Sequence, residues 1–260
     1  MKVLFVGDVF GRPGRRALKR GLAAAREAHA PDFVIVNGEN AAGGFGITPS
    51  ILDAILGDDV DVVTTGNHVW DRREIYERLD KEPRILRPDN YPRGNPGHGV
   101  WSGTRAERAV AVINLQGRVF MKNLDCPFRR LDLLLDRDDV RDAEVVVVDF
   151  HAEATAEKLA LARYADGRVT AVVGTHTHVP SADARVLPRG TAYVTDVGMT
   201  GPHGGVIGVR AGSAIERFLK QTPNRFDVAE EDVRFQAVVI TVDTSAGRAT
   251  GIERIDVSYD

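Results

Sequence analysis

Five short apolar runs set the frame of the chain, and each of them ends on a polar cluster. Residues 3–6 lead into Gly7-Asp8, residues 34–37 into Gly38-Glu39-Asn40, and residues 60–65 into Gly66-Asn67-His68; residues 145–150 lead into His151, and residues 171–174 into Thr175-His176-Thr177-His178. The runs are β-branched and nearly continuous, the pattern of strands buried on both faces. In extended backbone, residues i and i+2 share a face, so His176 and His178 are expected to point at one place.

Between the first three runs the period changes from two to about 3.6. Residues 14–28, rich in Ala, Leu, Arg and Lys, read as a helix. Thr48-Pro49 supplies an N-cap and a proline at the first helical position, ahead of a helix over 50–56. Asp71 with Glu74 has the spacing of a capping box for a helix reaching Leu79. Residues 83–99 are dense in Pro, Gly and Asn and read as loop. Strands are then expected at 110–115 and 171–174 with a helix over 155–164, and the tail reads as four strands, 185–187, 192–195, 235–242 and 251–257. The expected architecture is one α/β domain over 1–260, with two sheets, helices on the outer faces, and candidate ligands on loops at the carboxyl ends of strands.

Composition narrows the function classes. With 43% hydrophobic residues the chain can bury a sizeable core, and a net charge of −3 gives no sign of an extended nucleic-acid face. A small anionic substrate is compatible with that balance. The one cysteine, Cys126, excludes an internal disulfide framework. No run approaches the roughly 18 apolar residues of a membrane span, and the first residues read as a strand rather than a signal peptide. The expectation is therefore a soluble cytoplasmic protein, with a homo-oligomer left open.

Each polar residue has a structural reading of its own. Asp8 can end a strand, Glu39 and Asn40 can be turn residues before Gly43, Gly44 and Gly46, and Asn67 can sit in a left-handed turn. His151 can be a core histidine. Taken jointly, those readings place a coordinating side chain at the same topological position five times by accident, so a metal site is the better account. His98 and His203 lie in Gly- and Pro-rich loops without such support.

In order, Gly-Asp, Gly-Glu-Asn, Gly-Asn-His, a lone His and Gly-x-His-x-His resemble the calcineurin-like metallophosphoesterase superfamily. The stretches 7–15 and 37–44, with Thr195-Asp196-Val197-Gly198-Met199, narrow the resemblance to its YmdB-like branch. Those proteins are described as 2′,3′-cyclic-nucleotide 2′-phosphodiesterases. The resemblance implies a four-layer α/β/β/α sandwich of two mixed sheets and a dinuclear centre. The superfamily's usual Asp-x-His opening has Phe10 at the His position here, and Glu39 replaces the usual bridging Asp. Asn40 is expected to fill the missing histidine's place, and an oxygen-rich set favours the harder metals, manganese or iron.

On this reading Asp8, Asn40 and His178 hold one metal, Asn67, His151 and His176 hold the other, and Glu39 is shared. Two such cations about 3.5 to 4 Å apart can activate a water as hydroxide for in-line attack on a phosphoryl group. His68 is expected to be the general acid. The amides of residues 43–46 and Arg12 are weaker candidates for contacting phosphate. The alternatives are a phosphomonoesterase or protein phosphatase on the same centre, and a regulatory nucleotide-binding protein with slow turnover.

Overall fold

The computed structural model describes residues 1–259. In chain order the first elements are β1 (Lys2–Val6), β2 (Asp8–Val9), α1 (Gly11–His29), β3 (Phe33–Asn37), α2 (Pro49–Gly57), β4 (Val62–Thr64), a 3-10 turn at Arg73–Ile75, α3 (Tyr76–Lys81) and β5 (Ile85–Leu86). The middle comprises β6 (Val100–Arg105), β7 (Arg108–Gln116), α4 (Pro127–Leu135), α5 (Asp138–Arg141), β8 (Val145–His151), α6 (Thr155–Ala165) and β9 (Ala171–Thr175). The remainder is β10 (Arg185–Val186), β11 (Ala192–Val194), β12 (Met199–Pro202), α7 (Ala211–Lys220), β13 (Val233–Asp243) and β14 (Arg248–Ser258). No helix among the described residues is long and apolar enough to cross a membrane.

The strands form two mixed sheets. The first runs β2-β12-β13-β1-β3-β4-β5, with β14 also paired to β13. Within it β1, β3, β4 and β5 are parallel, and β13 lies antiparallel to β1. The second sheet runs β10-β11-β9-β8-β7-β6, parallel from β11 to β7 with an antiparallel strand at each edge.

Side-chain alternation divides the apolar residues among three cores. From β1, Val3 and Phe5 face inward with Ile35 and Val62 and pack against Val112, Val147, Val173 and Val194 of the other sheet. Their neighbours Leu4 and Val6 face outward with Val34 and Val36, under Leu18 and Leu22 of α1 and Leu52 and Ile55 of α2. On the far side Ile113, Val146 and Val148 meet Leu131 of α4 and Leu161 of α6. The result is the expected α/β/β/α sandwich, and its strands are continuous apolar runs because both faces of each sheet are covered.

The structure departs from the sequence reading in four places. The strand expected over 60–65 is confined to Val62–Thr64, and the stretch read as loop holds the short β5. No capping box forms at Asp71. The 3-10 turn begins after Arg72, which has no side-chain cap, because the Asp71 carboxylate is bonded to His68 instead. Helices α4, α5 and α7 and strands β2, β6 and β12 fall where no element was expected. Finally, β9 ends at Thr175, and His176 and His178 have φ of 99° and 64°, so they lie in a turn rather than in extended backbone.

Candidate metal centre

The parallel strands β1, β3 and β4 of one sheet and β8 and β9 of the other carry the candidate residues at or just past their carboxyl ends. All seven candidate ligands meet there through a chain of contacts. Glu39, His151 and His176 offer donor atoms within 4.8 Å of one another. His151 Nε2 stands 3.1 Å from Glu39 Oε1 and 2.9 Å from Asn67 Oδ1. The Asn40 amide lies 3.2 Å from Glu39 Oε1 and 3.1 Å from His178 Nε2. Asp8 joins through Oδ2, which accepts from the backbone N–H of His176 at 3.2 Å. The two histidines of the motif therefore do converge, but they do so by a turn with left-handed residues rather than by strand alternation.

Hydrogen bonds behind the cluster fix which ring nitrogens face it. The Thr175 hydroxyl donates to Asp149 Oδ1 at 2.8 Å, so its oxygen accepts from His151 Nδ1 at 3.0 Å, and Nε2 is turned to the site. Asp149 also accepts from the Thr64 hydroxyl and the Asn37 amide, and burial, the largest influence on it, raises its pKa to about 6. His178 Nδ1 donates to the Ile207 carbonyl at 3.0 Å, which directs Nε2 inward in the same way. Such outer contacts commonly orient histidine ligands. His176 Nε2 pairs with Glu153 Oε2 at 3.0 Å. Glu153 was not singled out in the sequence; its position two residues past His151, at the end of β8, was the available signal.

The turn at residues 176–178 rests on a buried ion pair. Lys158 Nζ of α6 donates to Asp196 Oδ2 at 2.8 Å, with both side chains 1% exposed. The same carboxylate oxygen accepts from the N–H and hydroxyl of Thr177, at 3.1 and 2.7 Å. Lys158 was not marked in the sequence, because a lysine in a helix reads as solvated, and Asp196 entered only within the stretch 195–199 that carries the resemblance.

The electrostatics of the cluster are those of a cation site. Asp8 and Glu39 are both fully buried, and Asp8 Oδ1 has no hydrogen-bond partner among the described residues. Burial, then repulsion from Glu39, drives the Asp8 pKa well above the usual carboxylate range. Burial also pushes Glu39 up, but His151, with His68 and His176 behind it, outweighs this and holds Glu39 at about 2. Burial and the charge of His151 lower His176 to about 3, which leaves its imidazole neutral and able to act as a ligand. Burial likewise lowers His178. Two buried carboxylates, one with an orphaned oxygen, grouped with the imidazoles of His151, His176 and His178 form a donor set that fits a divalent cation. Gly66 is required by this crowding: a Cβ there would stand 2.3 Å from both Glu39 Oε2 and His151 Nε2.

His68 stands beside the cluster. Its backbone N–H donates to Glu39 Oε2 at 3.3 Å, and its ring is turned away to Asp71, with Nδ1 2.8 Å from Oδ2. Phe45 packs edge-on against the ring at 5.1 Å. Phe10 is a core aromatic, 3% exposed, packed with Met199, Val209 and Ala214 and edge-on to His178 at 5.6 Å. Of the two weaker candidates, the loop 43–46 borders the cluster, since Gly44 and Phe45 line the same cavity as Glu39 and His68. The Gly44 N–H is already bonded to the Asn40 carbonyl, the loop's own carbonyls at Ala42 and Phe45 accept from Arg72, and Arg12 is exposed on the first turn of α1. His203 is bonded to the Met199 carbonyl, and His98 to the Pro83 carbonyl.

Known proteins are similar to this chain over its whole length. A family model described as YmdB-like protein matches residues 4–255. The 2′,3′-cyclic-nucleotide 2′-phosphodiesterase of Bacillus subtilis (strain 168) is 46% identical over 260 residues, spanning 100% of this chain and 98% of its own. The crystal structure of a hypothetical protein from Thermus thermophilus matches with a TM-score of 0.94 at 43% identity, covering 100% of both chains. A structure described as a novel phosphatase from Mycoplasma pneumoniae matches with a TM-score of 0.93 at 34% identity, covering 99% of this chain and 93% of that one. Because fold and sequence agree from end to end, this chain belongs to the YmdB-like family of metallophosphoesterases.

Proposed function

We propose that the protein is a metal-dependent phosphodiesterase that hydrolyses 2′,3′-cyclic nucleotides to 3′-nucleotides. The observation that carries the proposal is the orphaned Asp8 Oδ1, buried beside Glu39 among imidazoles with His68 at the edge of the cluster. The name of the Bacillus subtilis relative supports the substrate class and the bond cleaved.

Asp8, Asn40 and His178 would hold one cation, Asn67, His151 and His176 the other, and Glu39 both; iron or manganese suits this oxygen-rich set. When bound, such ions supply positive charge for the phosphoryl oxygens and a water acidic enough to attack at neutral pH. The chain's own residues do the rest. Asp149 and Thr175 hold the His151 ring, and the Ile207 carbonyl holds that of His178, so neither ligand reorganises during the reaction. Glu153 at the mouth faces His176, the least enclosed of the three cluster residues. His68, steadied through Nδ1 by Asp71, is left with Nε2 to protonate the ribose oxygen as the ester bond breaks.

Chromatography of the products of metal-loaded protein tests the proposal. The expected product of 2′,3′-cyclic AMP is the 3′-nucleotide. The 2′-isomer would reverse the bond assigned, and turnover of monoesters or phosphoproteins with none of cyclic nucleotides would favour a phosphatase on the same centre.

A further inference from the structure

A second feature adjoins the cluster. Beneath α7 lies a cavity of about 340 Å³ that shares Glu39, His68, His176 and His178 with the centre. The rest of its lining is largely apolar and includes Phe45, Ile207, Phe218 and Phe226. From α7 and the residue after it come two polar side chains, Arg217 and Gln221, and the Arg217 guanidinium lies 5.6 Å from the centroid of the Phe226 ring. Phe218 and Ile207 are 74% and 53% exposed, more apolar surface than a catalytic rim needs for itself.

We infer that this cavity is the nucleobase subsite, in which a purine or pyrimidine stacks against Phe218 and Phe226 while its phosphate lies at the centre. The inference rests on the proposed reaction for the placement of the ester. His68 sets the side of the centre on which the nucleoside lies. An acid must stand next to the oxygen that it protonates, and in a 2′,3′-cyclic phosphate both ester oxygens belong to one ribose. The nucleoside therefore sits on the side that His68 occupies. His68 lines the cavity under α7; the opening on the other side, bounded by Asn67, His176, Phe120, Met121 and Lys122, does not include it. The volume is in the range of small-ligand sites, and a base offers aromatic walls a flat face of its own. The Gln221 amide, whose nitrogen donates to the Phe218 carbonyl at 3.0 Å, leaves its oxygen and its second N–H for a base edge, so the subsite holds bases without strongly choosing among them. Stacking of this kind is tolerant of sequence for the same reason.

Binding to metal-loaded protein, measured by calorimetry with adenosine 3′-phosphate and with ribose 3-phosphate, tests the subsite without turnover. The base is expected to tighten binding by about 10-fold or more, in line with the effect of one base–aromatic stack. Phe218→Ala, a change at an exposed position, should bring the two ligands to within about 3-fold of each other. In turnover, the ratio of kcat/KM for 2′,3′-cyclic AMP over ethylene phosphate, a cyclic diester without a base, should fall by a similar factor in that variant. Equal affinities for the two ligands in the wild type, or a base preference untouched by Phe218→Ala, overturns the inference. So does a concentration-dependent dimer that Phe218→Ala abolishes while base preference persists, since the patch then belongs to a second copy of the chain. A wild type that prefers the nucleotide through Phe218 but cleaves no cyclic ester would leave the subsite standing and remove the proposed reaction instead.

Discussion

At the residue scale, the division of labour between His68 and the cluster is the point most open to measurement. His68 meets Glu39 only through its backbone, and its ring belongs to Asp71. If the ring supplies a proton rather than a metal ligand, His68→Ala should lower kcat by about 10² to 10⁴-fold on esters with alkoxide leaving groups. On an aryl ester, whose leaving group needs no proton, the loss should be much smaller, and metal content should stay at the wild-type level. Equal losses on both esters would mean that the ring positions substrate or supports the ligands. Residue types made His68 a candidate in the sequence, because an imidazole directly after a strand-end Asn is chemically conspicuous. The partner was not legible: Asp71 has the spacing of a helix cap, and only tertiary structure shows its carboxylate turned back to the ring.

At the scale of elements, what could be read ahead of the structure was whatever a local period encodes. Buried strands announced themselves as β-branched runs, α1 and α6 as helical periods, and α2 through the Thr48 cap, whose hydroxyl accepts from the Ile51 N–H at 3.4 Å. Helix α7 was missed because it covers only a small satellite core through Ala214 and leaves Ile215, Phe218 and Leu219 exposed, so its period marks no main-core face. The turn carrying His176 and His178 was misread because its shape is imposed from outside, by Asp196 holding Thr177 and by Lys158 holding Asp196. This support has a measurable cost if broken. Removing one partner of a buried pair leaves the other charge uncompensated, so Lys158→Met should destabilise the fold by about 3 to 5 kcal/mol in urea unfolding. Adding Asp196→Asn should recover part of that loss. A Lys158→Met protein of unchanged stability would show that the pair does not brace the turn.

At the scale of the whole molecule, the centre ties the two sheets together, since Asp8, Glu39, Asn40 and Asn67 follow strands of one and His151, His176 and His178 follow strands of the other. A ligand that binds only the assembled site stabilises the entire fold by mass action, about 2.7 kcal/mol at one hundred times its Kd. Chelation should therefore lower Tm as well as activity, and manganese or iron should restore both. Elemental analysis of replete protein is expected to find two ions per chain; one or none would overturn the dinuclear reading. Without cations the same place is a burden, for Asp8 and Glu39 repel each other in a dry interior. The left-handed turn adds to that burden. Backbone held at φ 99° by a histidine carries strain of about 1 to 3 kcal/mol, whereas glycine there would cost only about 0.5 to 1 kcal/mol in chain entropy. Stripped of metal, His176→Gly should thus unfold at a temperature no lower than the parent, and a lower one would place the strain elsewhere. Selection for folding alone would consequently erode this motif, and a lineage that no longer used the chemistry would be expected to lose the histidine first at its most twisted position.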